Sequence, residues 1–244
     1  KEYSLELQIP DKCELGCFLD IFLLDGDEEI GMEQHELPVA IQKLPPVFYK
    51  ESTVQFEEKG ENLLISGKDF RYVFNTHYGN FEYMERGGRV IFEELVDLTV
   101  WRAPTDNDKM DSEDWEAANY HKLWNKVYQC EREENQIIVE GSLAGISRMP
   151  FLRYRTVFII GSDGQVKVSL HGEKREGSKF LPRLGFEFRL PPNDDVFRYF
   201  GRGERENYVD MACHTRIGMY ESRPSLEYVP YVRPQEHGNH TGAR

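Results

Sequence analysis

Apolar residues occupy every second position at the start of the chain, a pattern typical of a strand with one buried face: Tyr3, Leu5, Leu7 and Ile9. Two further apolar stretches, 18–24 and 30–37, flank the turn sequence Asp25-Gly26-Asp27 and predict a hairpin. Three strands are too few for an independent sandwich. We therefore interpret 1–38 as the last strands of a domain begun upstream, followed by a proline-containing linker at 39–47.

From residue 48 onward, turn sequences recur between short alternating runs, which is typical of a large antiparallel β-domain. The clearest turns are Lys59-Gly60-Glu61-Asn62, Gly87-Gly88 and Ser162-Asp163-Gly164. No fixed period repeats, so a propeller or solenoid is not expected. The fold class predicted from these patterns is mainly β.

One segment departs from this pattern and predicts a single short helix at about 113–127. Its apolar residues follow the spacing of one helix face: Tyr120, Leu123, Trp124 and Val127. Ser112 precedes it as a candidate N-cap, with acidic residues in the first turn. We expect Trp124 and Leu123 to point into the core.

Charge and hydropathy exclude two classes of partner. The 244 residues carry 43 acidic and 30 basic side chains, a net charge of −13. So acidic a chain repels phosphate backbones, and no nucleic-acid partner is expected. The longest apolar stretch, 17–24, is interrupted by Asp20 and is too short to cross a bilayer, so no membrane partner is expected either.

The four cysteines give no metal-binding prediction, because the Cys13–Cys17 spacing is followed by no second ligand pair. Free thiols are favoured, and a Cys13–Cys17 disulfide is the alternative. The chain opens with no apolar signal region. The compartment, cytoplasmic or periplasmic, stays open.

Three polar segments are candidates for chemistry. Asp106-Asn107-Asp108 follows Trp101-Arg102-Ala103-Pro104 and is either a capped turn or a loop that binds sugar hydroxyls. Arg102 is expected to border the pocket or to anchor the loop through a charge-assisted hydrogen bond to Asp106 or Asp108.

The other two segments are glycine-containing loops near the end of the chain. The segment from Gly201 to Asn207 lacks the third glycine and the following helix of a dinucleotide loop. Glu236-His237-Gly238-Asn239-His240 offers acid–base groups, although hydrogen-bonded structure is the simpler interpretation.

Three motifs taken together resemble the C-terminal region of glycoside hydrolase family 2 β-galactosidases. In this chain they are Trp101-Arg102-Ala103-Pro104-Thr105-Asp106-Asn107-Asp108, Phe200-Gly201-Arg202-Gly203-Glu204-Arg205-Glu206-Asn207-Tyr208 and Tyr228-Val229-Pro230-Tyr231-Val232-Arg233-Pro234-Gln235-Glu236-His237-Gly238-Asn239. The resemblance implies the end of an immunoglobulin-like domain over 1–38 and a galactose-mutarotase-like antiparallel β-supersandwich over 48–244, expected to stop partway through. The latter also resembles the small subunit of two-chain β-galactosidases.

The resemblance also implies what the chain lacks. The family hydrolyses terminal β-galactosides such as lactose with retention, using two Glu residues and usually Mg²⁺ and Na⁺ in an upstream barrel. No catalytic residue, metal ligand or cofactor is therefore assigned to this chain. Its implied partners are that barrel, the β-galactoside and further copies in a homo-oligomer, and its implied parent is bacterial.

The expected role of this chain is to support and border the active site. The residues proposed to border the substrate are Arg102, Asp106, Asn107, Asp108, Arg202, Glu206, Asn207, Glu236 and His237. Two alternatives stay open: a free-standing aldose 1-epimerase, which shares the supersandwich, and a carbohydrate-binding or interface module.

Overall fold

Antiparallel β-strands dominate the computed structural model, which describes residues 4, 6–42, 54–191 and 195–243. This confirms the mainly β prediction. The chain divides into two compact units. The first comprises 1–46, 196–230 and 236–244, and the second comprises 47–195 and 231–235.

The N-terminal part of the first unit contains four strands: β1 Lys12–Cys13, β2 Phe18–Asp25, β3 Glu28–Glu36 and β4 Ala40–Ile41. Strands β2 and β3 form the predicted hairpin, whose turn includes Gly26 at φ +62°, a conformation that glycine adopts without steric cost. Strands β1 and β4 pair in parallel.

The prediction of a strand at the start of the chain is wrong for the residues that the structure describes there. Residues 6–10 are not in a strand, and Leu7 and Ile9 are each 49% exposed. Alternation produces a strand only where a neighbouring strand pairs with the segment, and no such pairing occurs within the described residues. Tyr3 and Leu5 lie outside the described residues. Most of the predicted linker at 39–47 does too, so that domain boundary stays a prediction.

The second unit contains a five-stranded sheet, a four-stranded sheet and a two-stranded pair. In the two larger sheets, strands that follow one another along the chain lie side by side. The five strands are β5 Gln55–Lys59, β6 Asn62–Ser66, β7 Phe70–Asn75, β8 Asn80–Arg86 and β9 Arg89–Phe92. The two-stranded pair joins β10 Asp97–Thr99 to β15 Gly185–Glu187, and the four strands are β11 Leu123–Glu133, β12 Gln136–Gly145, β13 Leu152–Ile160 and β14 Val166–Lys174. All three turns predicted from glycine-containing sequences connect strands of this unit.

The core of the second unit lies between its two larger sheets. Phe158 on β13 makes edge contacts with Phe74 and Phe81, with ring centroids 5.2 Å and 5.4 Å away. All three rings are at most 3% exposed. Burial of each such side chain is worth about 1.5–3 kcal/mol, so these inward positions hold the two sheets together.

The single short helix among the described residues, α1, spans Lys109–Ala117 and follows a 3₁₀ turn at Asp106–Asp108. The predicted range of 113–127 is therefore too far along the chain, and 123–133 is strand β11. Ser112 lies inside the helix, so its predicted N-cap role is wrong. No helix in the described ranges is long and apolar enough to cross a membrane.

The predicted packing of the helix is wrong for Trp124 and correct in part for Leu123. Trp124 is 64% exposed on β11, whereas Leu123 packs half-buried against the core. The tryptophan that the helix buries is Trp115, at 1% exposure. The orientation follows from the strand: neighbouring positions of β11 face opposite sides of the sheet.

The first unit also contains a second hairpin, formed by β16 Phe197–Gly203 and β17 Arg216–Ser222. The Gln34 side chain links it to β3, since the amide donates to the Ile217 carbonyl and accepts from the Ile217 N–H, both at 2.8 Å. Phe18 and Phe200 add a tilted ring contact at 6.1 Å. The first unit thus has its own packing and hydrogen bonds.

Candidate functional site

A bidentate ion pair closes the loop that follows β10 in the second unit. Arg102 Nη1 lies 2.5 Å from Asp108 Oδ2, and Nη2 lies 2.9 Å from Oδ1. Thr105 donates to Oδ2 through its N–H at 2.7 Å and its hydroxyl at 2.9 Å. The predicted charge-assisted anchor is confirmed, with Asp108 as the acceptor.

The pKa of Asp108 follows from this geometry. The hydrogen bonds from Arg102 lower it from its usual 3.8 to about 2, with Thr105 contributing in the same direction. The Asp108 side chain is 12% exposed, and the Arg102 guanidinium also lies 5.4 Å from the centroid of the Trp115 ring. The ion pair thereby links the start of the helix to the part of the loop that lies next to β10.

Asp106 ties the same loop to segment 231–235 within the second unit. Its carboxylate lies 2.7 Å from Lys109 Nζ and 3.2 Å from Arg233 Nη1, and its N–H donates to the Pro234 carbonyl at 2.7 Å. Hydrogen bonds from Lys109 and then Arg233 lower the pKa of Asp106. Asn107, between the two anchored acids, is exposed.

The second motif lies in the first unit, and its Asn207 is fully buried with every hydrogen-bonding group in use. The side-chain amide donates to the Arg202 and Arg205 carbonyls, both at 3.0 Å. Its oxygen accepts from the Thr241 N–H at 2.8 Å and the Thr241 hydroxyl at 2.6 Å. An asparagine amide has two donors and an acceptor oxygen with two lone pairs. Asn207 therefore has no side-chain capacity left for a sugar.

Two more contacts join the second motif to the end of the chain. Glu206 Oε2 accepts from the Gly238 N–H at 2.9 Å, and the Arg202 N–H donates to the Thr241 carbonyl at 3.1 Å. Glu206 is 9% exposed. The Asn207 N–H donates to the Asn239 carbonyl, and the Asn239 side-chain amide donates to the Asn207 carbonyl, both at 2.7 Å. The structure thus brings together two motifs that are separate in the sequence.

The remaining two candidates, Glu236 and His237, are exposed. His237 Nδ1 lies 3.1 Å from the Glu227 carbonyl oxygen, and its ring meets Tyr228 edge-on at 5.1 Å. Within the described residues, Glu236 makes no hydrogen bond or ion pair. The border role predicted for the nine candidates stays a prediction.

Sequence reasoning did not single out a buried polar cluster next to the second motif. His240 Nε2 lies 2.9 Å from Glu227 Oε2, and His240 Nδ1 lies 2.8 Å from the Tyr199 hydroxyl and 3.1 Å from the Arg202 carbonyl. The His240 and Glu227 side chains are 8% and 14% exposed, and burial raises the pKa of Tyr199 to about 12. Its members are up to 41 positions apart. The one local signal was His240 itself, which belongs to the segment 236–240 named above for its acid–base groups.

These geometries define a β-sandwich protein whose motif residues fix loops to one another. The family model described as beta galactosidase small chain matches residues 66–244. The chain belongs to this family and corresponds to a C-terminal part of the β-galactosidases.

Individual relatives agree with the family match. The chain is 31% identical to a β-galactosidase of Actinobacillus pleuropneumoniae over 225 residues, which cover 90% of this chain and 22% of the relative. It is 28% identical to that of Lactobacillus delbrueckii subsp. bulgaricus over 88% of this chain and 21% of the relative. It is 28% identical to the β-galactosidase of Kluyveromyces lactis, over 91% of this chain and 22% of the relative. The chain thus spans about a fifth of the length of these curated relatives.

Proposed function

We propose that this chain is a non-catalytic C-terminal part of a β-galactosidase, an enzyme that hydrolyses terminal β-D-galactosides. In this proposal it supports and borders an active site that other residues of the enzyme build. The family match and the relatives named β-galactosidase support the assignment. The proposed partners are the catalytic barrel, the β-galactoside and further copies of the enzyme.

The observation that carries the proposal is the state of the acidic residues in the first motif. A retaining glycosidase needs one carboxylic acid that protonates the leaving oxygen and one carboxylate that attacks the sugar. Arg102 instead holds Asp108 in a bidentate ion pair, and Lys109 and Arg233 hold Asp106. These cations also lower the pKa of both acids, that of Asp108 to about 2. Both side chains are therefore ionised at neutral pH and serve to shape the loop.

Asn107 is the residue of this loop best suited to meet a substrate. It is exposed between two anchored acids, so its position is defined while its amide is accessible. An amide offers both donors and an acceptor to sugar hydroxyls. We propose Asn107 as the border residue, with Arg102, Asp106 and Asp108 as the frame that positions it.

The Mg²⁺ and Na⁺ expected of the family are proposed to bind in the catalytic domain. Within the described ranges, no group of three or more His, Cys, Asp or Glu side chains is arranged to hold a metal ion. These residues therefore do not fit a metal site, and no step of the chemistry is assigned to a metal here.

The first test measures hydrolysis of an aryl β-galactoside. The isolated chain is expected to give the rate of the buffer blank, and polarimetry is expected to show no catalysed mutarotation of α-galactose. Mutarotation that disappears in Glu236→Ala or His237→Ala variants would instead assign the chain as an aldose 1-epimerase.

The second test uses the complete β-galactosidase that contains this chain. Asn107→Ala is expected to lower kcat/KM about 10-fold with an unchanged melting temperature, since it removes a contact to substrate from a folded loop. Asp108→Ala serves as the control for a frame residue and is expected to lower the melting temperature. Unchanged kcat/KM in Asn107→Ala would contradict the border role.

A further inference from the structure

A small cavity opens on the outer side of the four-stranded sheet, in the second unit and apart from the three motifs. Its volume is about 300 Å³. One side of the lining is apolar, formed by residues 149–152. The rest of the lining is one tyrosine and four charged residues: Tyr128, Arg153, Glu173, Lys174 and Arg175. Small-molecule sites have volumes from about 300 to 1,000 Å³, so this cavity suits a ligand of one or two rings.

Strand register explains why these side chains meet. Ser142 on β12 is paired with Arg153 on β13, which is paired in turn with Glu173 on β14. The Tyr128 hydroxyl on β11 lies 2.8 Å from Ser142 Oγ. Aromatic, basic and acidic side chains thus form one row across the sheet.

The cations of this cavity are unusual in so acidic a chain. Arg153, Lys174 and Arg175 are exposed, and within the described residues none of them has a carboxylate oxygen within 4.0 Å. Lys174 Nζ donates to the Ser178 carbonyl at 2.7 Å, and Arg175 contacts Met149 Sδ at 3.6 Å. Glu173 contributes the one opposing charge among the lining side chains. The cavity is therefore positive although the chain carries a net charge of −13.

Tyr128 adds a flat apolar surface to this charge. The ring is 54% exposed, and the bond to Ser142 fixes its orientation. Lys126 Nζ lies over one face, 5.5 Å from the ring centroid, so a ligand packs on the other face. The C–H face of a sugar ring packs against such a surface, while carboxylates and guanidinium groups bind its hydroxyls. Protein partners usually bury about 800 Å² on each side, which makes so small a cavity a poor match for a polypeptide.

We propose that this cavity binds a sugar that carries an anionic group. The sugar ring packs on Tyr128, a hydroxyl donates to Glu173, and the phosphate, sulfate or carboxylate group accepts hydrogen bonds from Arg153 and Arg175. Guanidinium groups bind such oxyanions in a bidentate manner, and charge-assisted bonds are the stronger class. The cavity is thus a second carbohydrate site, independent of the loop around Asn107.

Isothermal titration of the full chain with galactose 6-phosphate tests this proposal, with galactose, glucose 6-phosphate and inorganic phosphate titrated separately. The choice of galactose rests on the proposed function, whereas binding of either hexose phosphate supports the site. Galactose 6-phosphate is expected to bind at least 10-fold more tightly than galactose or inorganic phosphate, by an order-of-magnitude estimate.

Matched variants locate the site. Arg153→Gln is expected to weaken binding about 10-fold, and Tyr128→Leu about 5-fold. Arg155→Gln is the control, because Arg155 lies on the same strand but pairs with Glu140 at 3.5 Å and does not line the cavity. Circular dichroism verifies that each variant is folded.

Three results would overturn the proposal. Equal affinity for inorganic phosphate and the hexose phosphates would leave an anion site without sugar recognition. Equal weakening by Arg153→Gln and Arg155→Gln would indicate general charge attraction, and an acidic peptide that binds as tightly as the hexose phosphates would assign the cavity to a protein partner. The hydrolysis assay does not involve this cavity, so the two proposals fail separately.

Discussion

Arg102 and Asp108 bind each other through two parallel hydrogen bonds of 2.5 Å and 2.9 Å, across a turn that contains Pro104 and Asn107. Both side chains are largely buried, at 25% and 12% exposure, so solvent screens the pair only in part. The backbone N–H of Thr105 completes the coordination of the carboxylate. The loop consequently owes its shape to an acid that is already ionised above about pH 4.

Asp108→Asn is expected to lower the free energy of unfolding by about 2 kcal/mol at pH 7, since the pKa falls from 3.8 to about 2 on folding. A pKa that is lower in the folded than in the unfolded state stabilises the protein at pH values above the unfolded-state pKa. This stability is lost as the pH falls through the folded-state pKa. The difference between wild type and variant is therefore expected to shrink between about pH 4 and pH 2. Urea unfolding at a series of pH values measures it. Asp111→Asn, at an exposed position of the helix that follows Asp108, is the control, and a difference that does not depend on pH would contradict the assignment.

Asn207→Asp is expected to destabilise the protein by about 2–5 kcal/mol. The substitution replaces the amide that donates to the Arg202 and Arg205 carbonyls with an oxygen that repels them. Asn107→Asp makes the same chemical change at an exposed position and is expected to cost less than about 0.5 kcal/mol. Thermal unfolding of the two variants compares them directly. Similar melting temperatures would show that the buried network contributes little.

Trp115→Ala and Trp124→Ala are expected to differ sharply in stability. Trp115 is 1% exposed and its loss is expected to cost about 3–5 kcal/mol. Trp124 is 64% exposed, so its loss is expected to cost less than about 1 kcal/mol. Chemical denaturation of each variant gives both values. A large cost at Trp124 would mean that another part of the molecule covers it.

The thiols are expected to react with a disulfide reagent at different rates. Burial raises the pKa of Cys130 to about 11, so little thiolate forms there at pH 8, whereas Cys213 is exposed. The fastest phase of the reaction is expected to disappear in Cys213→Ser and to persist in Cys130→Ser. Loss of the fast phase in Cys130→Ser instead would show that the buried thiol is accessible.

The helix prediction gave the wrong range because one spacing is shared by two kinds of structure. Leu123 and Val127 both pack against the core and are four positions apart, which is about one turn of a helix and also two repeats of a strand. Trp124 belongs to the same apolar pattern, yet it lies on the opposite face of β11 and is 64% exposed. Sequence periodicity alone does not distinguish so short an apolar pattern in a strand from one in a helix.

The site was predictable to the extent that its contacts are local. Arg102 and Asp108 are six positions apart, on either side of Pro104, and their opposite charges led to the prediction of an anchor from Arg102 to Asp106 or Asp108. Asn207 and Thr241 are 34 positions apart, and their contact depends on how the end of the chain folds back. No pattern in the sequence specifies that return path. The motif resemblance indicated that these residues matter, and the structure showed how they contact one another.

The saturated amide of Asn207 also affects what a motif match means in other genomes. A side chain that uses all its donors and acceptors on other residues of the same chain serves to maintain the fold, whatever reaction the surrounding protein performs. Distant proteins that have lost glycosidase activity are expected to retain this asparagine together with Thr241. A search profile built on this motif thus detects shared ancestry of architecture, and assigning an activity to a newly sequenced homologue requires the catalytic residues themselves.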